Sequence, residues 1–109
     1  MSLDIPSITD TMIRAARKAL GERWSAIRAV AEPELLKLAQ TFDDAQRLYA
    51  EGTIDSARAM QLVDMQRNTA LSVLRRVQGL GILTAREAVG AAVEAAGKVV
   101  NRLIGFKLI

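Results

Sequence analysis

Cysteine and histidine are both missing from the sequence. Their absence removes disulfides, thiolate nucleophiles and the most common zinc ligands. It also removes the side chain that most often acts as a general base near neutral pH. Glycine-rich phosphate loops and nucleophile motifs are missing as well. We therefore expect a protein that is not an enzyme and that binds no metal or cofactor.

Aromatic residues are scarce, because the chain has only Trp24, Phe42, Tyr49 and Phe106. A core must therefore be built from alanine, leucine, valine, isoleucine and methionine. Half of the residues are apolar and a quarter are charged, which is typical of a folded globular protein. The length of 109 residues predicts a single helical domain that spans 1–109.

Targeting signals are also missing. The first ten residues lack the basic start and the apolar run of a signal peptide. The most hydrophobic stretch, 82–109, carries six charged side chains, so it contains no run of about 18 uncharged apolar residues. We expect a cytoplasmic protein.

One apolar stripe runs from Met12 to Tyr49 in steps of three or four residues, as an amphipathic helix requires. It predicts a first helix over about 7–51, capped by Ser7 and ended by Gly52. Gly21 is a weak point of this helix and costs about 1 kcal/mol relative to alanine.

Pro33 interrupts the same stripe. A proline inside a helix deletes one hydrogen bond and clashes with the carbonyl four residues earlier, here that of Ala29. The stripe nevertheless keeps its phase on both sides, and no turn-forming residue lies beside Pro33. The pattern favours an all-α fold of three antiparallel helices with a long, Pro-kinked first helix. The alternative is a four-helix bundle in which the chain turns at Pro33.

Two further helices follow. The second is predicted over about 53–78 and begins at Thr53. The third is predicted over about 84–105, where Thr84 and Glu87 form a capping box and Gly105 ends the helix.

The helix lengths predict self-association. A first helix of about 65 Å is too long to be covered by two helices of about 38 Å and 32 Å. An exposed apolar stripe implies a partner, most simply in a homodimer or higher oligomer. A turn at Pro33 would instead close a monomer. The predicted interface residues are Trp24, Ile27, Leu35, Leu38, Phe42, Phe106, Leu108 and Ile109.

Three polar groups need an interpretation. Gln66 falls within the apolar stripe of the second helix, so it is a candidate buried polar residue, a groove residue or a ligand contact. The acids Glu32 and Glu34, like Asp43 and Asp44, lack the histidines of a carboxylate metal site, and we expect them on a solvated face.

The charge distribution leaves two functions open. Residues 1–31 carry a net charge of +2, residues 32–64 of −4 and residues 65–109 of +5. Helices with opposite charges can pack against each other in a non-catalytic oligomerising structural or protein-interaction protein. The alternative is a peripheral protein that binds anionic membranes or nucleic acid through basic helix faces. Its candidate residues are Arg14, Arg17, Lys18, Arg28, Arg75 and Arg76, together with the tail from Lys98 to Ile109.

Overall fold

The computed structural model describes residues 3–77, 79–105 and 108, and these residues contain helices and no strand. The helices are α1 (Ile5–Leu20), α2 (Trp24–Ala50), α3 (Ser56–Arg75) and α4 (Ile82–Ile104). A single 3-10 turn, Gly21–Arg23, joins α1 to α2. Helix α1 packs against α4 and α2, and α2 packs against α3. The all-α helical bundle is confirmed.

The first helical segment is long, as predicted, but its axis reverses at Gly21. Residues 5–50 are helical throughout, counting the 3-10 turn. Gly21 has φ +59° and ψ −125°, the conformation that glycine adopts at the first central position of a type II′ turn. The expected single axis of about 65 Å is wrong, because the bundle is only 43 Å long. The spacing of the apolar residues does not reveal this turn, because Leu20 and Trp24, on its two sides, belong to the same core.

Pro33 lies inside α2, so the helix continues across it as expected and the alternative of a turn there is wrong. The Pro33 ring is exposed, so the hydrogen bond that the proline deletes is lost at the surface and not in the core. The chain reverses at Gly21 instead, because glycine alone readily takes the positive φ that the turn needs.

The helix starts differ from the predicted ones. Asp4 caps α1 and accepts a hydrogen bond from the Ser7 amide. The helix can begin before Ser7 because Pro6 fits the first turn of a helix. Asp55 caps α3 in the same way. Helix α4 begins after Gly81, so the predicted capping box is wrong.

Thr84 and Glu87, the two residues of that predicted box, hold Arg23 instead. The Arg23 guanidinium lies 3.4 Å from the Thr84 hydroxyl and 3.3 Å from each Glu87 carboxylate oxygen. These contacts join the α1–α2 turn to the start of α4. The predicted helix ends are confirmed at Gly52 and at Gly105, which has the left-handed φ of +87°.

A single apolar core runs along the bundle, and its largest fully buried side chains include Phe42, Met12, Ile27, Leu35 and Leu38. Alanines fill much of the α1–α4 contact, which suits closely spaced helices. Leu108 also belongs to this core, and its amide donates to the Asn101 side chain at 2.9 Å.

Candidate interaction site

The residues predicted as an interface lie inside the chain. Every described member is at least nine-tenths buried: Trp24, Ile27, Leu35, Leu38, Phe42 and Leu108. Their assignment to an interface is wrong, because the reversal at Gly21 lets the chain cover its own apolar stripe. Phe106 and Ile109 lie outside the described residues.

Gln66 is half-buried rather than buried. It lies at a groove of about 360 Å³ between α2 and α3, beside Thr41, Leu62 and Met65. The prediction of a buried polar residue is wrong, whereas partial exposure at a groove, the other interpretation of Gln66, is confirmed.

Glu34 and Gln46 are the buried polar side chains among the described residues. Glu34 is 4% exposed, so its expected place on a solvated face is wrong. One of its oxygens accepts from Lys37 at 3.0 Å, and the other has no hydrogen-bond partner in the described structure. The Oε1 atom of Gln46 also has no hydrogen-bond partner among the described residues.

Asp43 also departs from the expected solvated face. It is half-buried and accepts a hydrogen bond from the Leu3 amide at 2.9 Å. Asp44 is exposed, as expected, and pairs with Arg47. Within the described residues no group of three acids is placed to hold a metal ion.

An open groove of about 580 Å³ runs between α1 and α2 on the outside of the bundle; we call it the α1–α2 groove. Its lining is largely apolar, and the side chain of Leu36 at one end is 40% exposed. The lining residues are Thr9 and Ile13 of α1 and Ser25, Arg28, Ala29, Glu32, Pro33 and Leu36 of α2.

Pro33 gives this groove an unusual polar feature. Because proline has no N–H, the Ala29 carbonyl lacks its helical hydrogen-bond partner. Both residues line the groove and both are exposed. The wall of the groove therefore contains a backbone carbonyl without its intrahelical partner.

Sequence reasoning missed this groove, although a signal for it was present. Ala29, Pro33 and Leu36 form a second apolar row at spacings of four and three. The row lies on the side of α2 away from its buried stripe, since all three residues are exposed. A second apolar row on the outer face of an amphipathic helix is a detectable pattern.

Ion pairs divide the predicted basic face. Arg14 pairs with Asp10 at 3.0 Å, and Arg28 pairs with Glu32 at the same distance. Because the chain reverses at Gly21, Arg28 belongs to α2 and no longer continues the basic face of α1. The local charge of the expected nucleic-acid or membrane face is therefore reduced.

The chain matches no protein-family model, no curated protein and no solved structure. None of the helices in the described part of the chain combines the length and the apolarity needed to cross a bilayer.

Proposed function

We propose that this protein is a non-catalytic interaction protein that self-associates, with the α1–α2 groove of one copy facing the same groove of a second copy. In a two-fold dimer the same patch is used on both sides, so that patch must be complementary to itself. The observation that carries the proposal is the open, largely apolar α1–α2 groove with its exposed Leu36.

The shape of the groove supports a helix–helix contact. Ser25 and Ala29 line the groove with small side chains from α2. Small residues let two helices approach closely, and Leu36 supplies a larger apolar side chain at the end of the groove. This differs from the sequence-based expectation, in which the main stripe itself formed the interface.

The charges of the groove support a second copy as its occupant. Arg28 and Glu32 form an ion pair on the groove wall, and both are accessible to solvent. In an antiparallel arrangement, Arg28 of one copy can face Glu32 of the other. A wall that carries one charge of each sign is complementary to itself, whereas a uniformly basic wall would repel a copy.

Sedimentation equilibrium of the wild type and two variants tests this proposal. Leu36→Glu adds a charge inside the groove, and we expect it to weaken the dimer at least about tenfold. The control is Met65→Glu, because Met65 is 55% exposed but lies at the α2–α3 groove. We expect this control to keep the wild-type affinity, also at high salt, because apolar contacts dominate.

Two results would contradict the proposal. One is a wild type that stays monomeric up to about 1 mM. The other is an equal loss of self-association in both variants, which would place the contact elsewhere. The proposal also assigns the dimer to the cytoplasm, and cell fractionation tests that assignment.

A further inference from the structure

A polar cavity of about 250 Å³ opens between the second half of α3 and the start of α4; we call it the α3–α4 cavity. It is separate from the α1–α2 groove and shares no residue with it. Its lining residues are Asn68, Leu71, Ser72, Arg75, Ile82 and Arg86.

Two arginines, Arg75 and Arg86, come to this cavity from different helices. Neither takes part in an ion pair within the part of the chain that the structure describes. The nearest acids along the two helices are occupied, since Asp64 pairs with Arg67 and Glu87 pairs with Arg23. The cavity therefore collects two positive charges without a compensating acid.

The start of α4 adds to the positive potential of this cavity, whereas the C-terminal end of α3, where Arg75 lies in the last turn, is the negative end of a helix dipole. Arg86 lies close to the start of α4, where the helix dipole disfavours a cation. The first turn of α4 has no acidic residue, and Gly81 makes no side-chain capping bond. Helices α1 and α3 instead have an aspartate, Asp4 and Asp55, as the N-cap residue. A bound anion would offset the charge of Arg86 and the exposed N–H groups of α4 together.

We propose that the α3–α4 cavity binds a phosphate group, either as free phosphate or as a phosphate monoester. The planar guanidinium groups of Arg75 and Arg86 match the geometry of phosphate oxygens and can each donate two hydrogen bonds. The Asn68 amide and the Ser72 hydroxyl line the same wall and add uncharged donors.

The surroundings of the cavity are compatible with two sources of that group. A soluble phosphate compound needs only the four polar side chains. A lipid phosphomonoester would also place an apolar surface beside the cavity, where Leu83 is 75% exposed and Ile82 is 39% exposed. Both sources require the two arginines, so the same variants test both.

The first experiment titrates the full chain with inorganic phosphate at constant ionic strength, with detection by calorimetry and by the arginine Nε–H signals in NMR spectra. The test variant is R75Q/R86Q. The control is R58Q/R102Q, which removes two positive charges from the same two helices but outside the cavity. We expect saturable binding that falls at least about tenfold in the test variant and less than about twofold in the control.

The second experiment measures co-sedimentation with phosphatidylcholine vesicles that contain phosphatidic acid, compared with phosphatidylcholine alone. Binding to the phosphatidic acid vesicles that is lost in R75Q/R86Q and in Leu83→Ser supports the site with a lipid phosphate. Binding of inorganic phosphate without vesicle binding supports it with a soluble one. An absence of binding in both experiments, or an equal loss in the test and control variants, overturns the proposal.

Discussion

The backbone amide of Leu3 donates a hydrogen bond of 2.9 Å to the Asp43 carboxylate, although forty residues separate them in the chain. This contact places the start of α1 beside the second half of α2. It is possible only because the helical segment from Ile5 to Ala50 folds back on itself at Gly21. The hairpin that results buries the apolar stripe and forms the α1–α2 groove on its outer side.

Replacement of Gly21 with alanine should lower the free energy of unfolding by about 1–3 kcal/mol. The cost is conformational, because a Cβ atom at Gly21 would meet no other atom within 4 Å. Urea denaturation followed by circular dichroism measures the change.

The matched control is Gly90→Ala on the exposed side of α4. A Cβ atom there also meets nothing within 4 Å, but Gly90 has no positive φ. This substitution should raise the free energy of unfolding by about 0.5–1 kcal/mol. If both substitutions changed the free energy of unfolding in the same direction, the turn assigned to Gly21 would be contradicted.

Replacement of Pro33 with alanine should raise the free energy of unfolding by about 1–3 kcal/mol, because it restores the hydrogen bond to the Ala29 carbonyl. The entropy that proline removes from the unfolded chain reduces this gain. Thermal and urea denaturation measure it. The control is Pro6→Ala. Pro6 occupies the first turn of α1 and deletes no hydrogen bond, so we expect this substitution to change the free energy of unfolding by less than about 1 kcal/mol. A loss of stability in Pro33→Ala would show that α2 is not continuous there.

Replacement of Glu34 with methionine should leave the free energy of unfolding unchanged or raise it by about 1 kcal/mol. The carboxylate is buried with one unpartnered oxygen, and a side chain of similar volume removes that desolvation cost. Lys37→Met should instead lower the free energy of unfolding by about 1–3 kcal/mol, because it leaves the buried Glu34 carboxylate without its ion-pair partner. If Glu34→Met lowered the free energy of unfolding by several kcal/mol, the carboxylate would have to make a stabilising contact that methionine cannot replace.

The contact between Arg23 and Glu87 should contribute little to stability. Both side chains are about half exposed, so solvent and salt screen their attraction. A double-mutant cycle with Arg23→Gln and Glu87→Gln should give a coupling energy of about 0.2–1 kcal/mol that falls as salt is added. A coupling that does not depend on salt would contradict an exposed pair.

The sequence predicts the helical content and most helix ends because these depend on local chemistry. Gly52 and Gly105 end helices where the apolar pattern stops, and the pattern carries α2 across Pro33. The reversal at Gly21 was not predicted, because the spacing of buried residues stays helical through the turn. Its detection requires the packing of α1 against α4, which is a tertiary property.

The candidate sites show the same division. Glu34 is predicted on a solvated face because no metal-site pattern surrounds it, but the packing of α2 in the bundle buries it. Arg75 and Arg86 are eleven positions apart in sequence and on different helices, so only the α3–α4 turn brings them to one cavity. The residue pattern along one helix predicts neither the burial of Glu34 nor the shared cavity of Arg75 and Arg86.

The reversal of the helix axis at Gly21 can be measured as one distance between α1 and α2. The chain has no cysteine, so Ser7→Cys/Gln40→Cys carries two spin labels and no others, both at exposed helix positions. The sample is diluted with unlabelled protein to remove distances between copies. Pulsed electron spin resonance should give a separation below about 30 Å, since adjacent helices lie about 8–10 Å apart. A separation of about 50 Å, the length of a straight helix between these positions, would show that the helix axis does not reverse at Gly21.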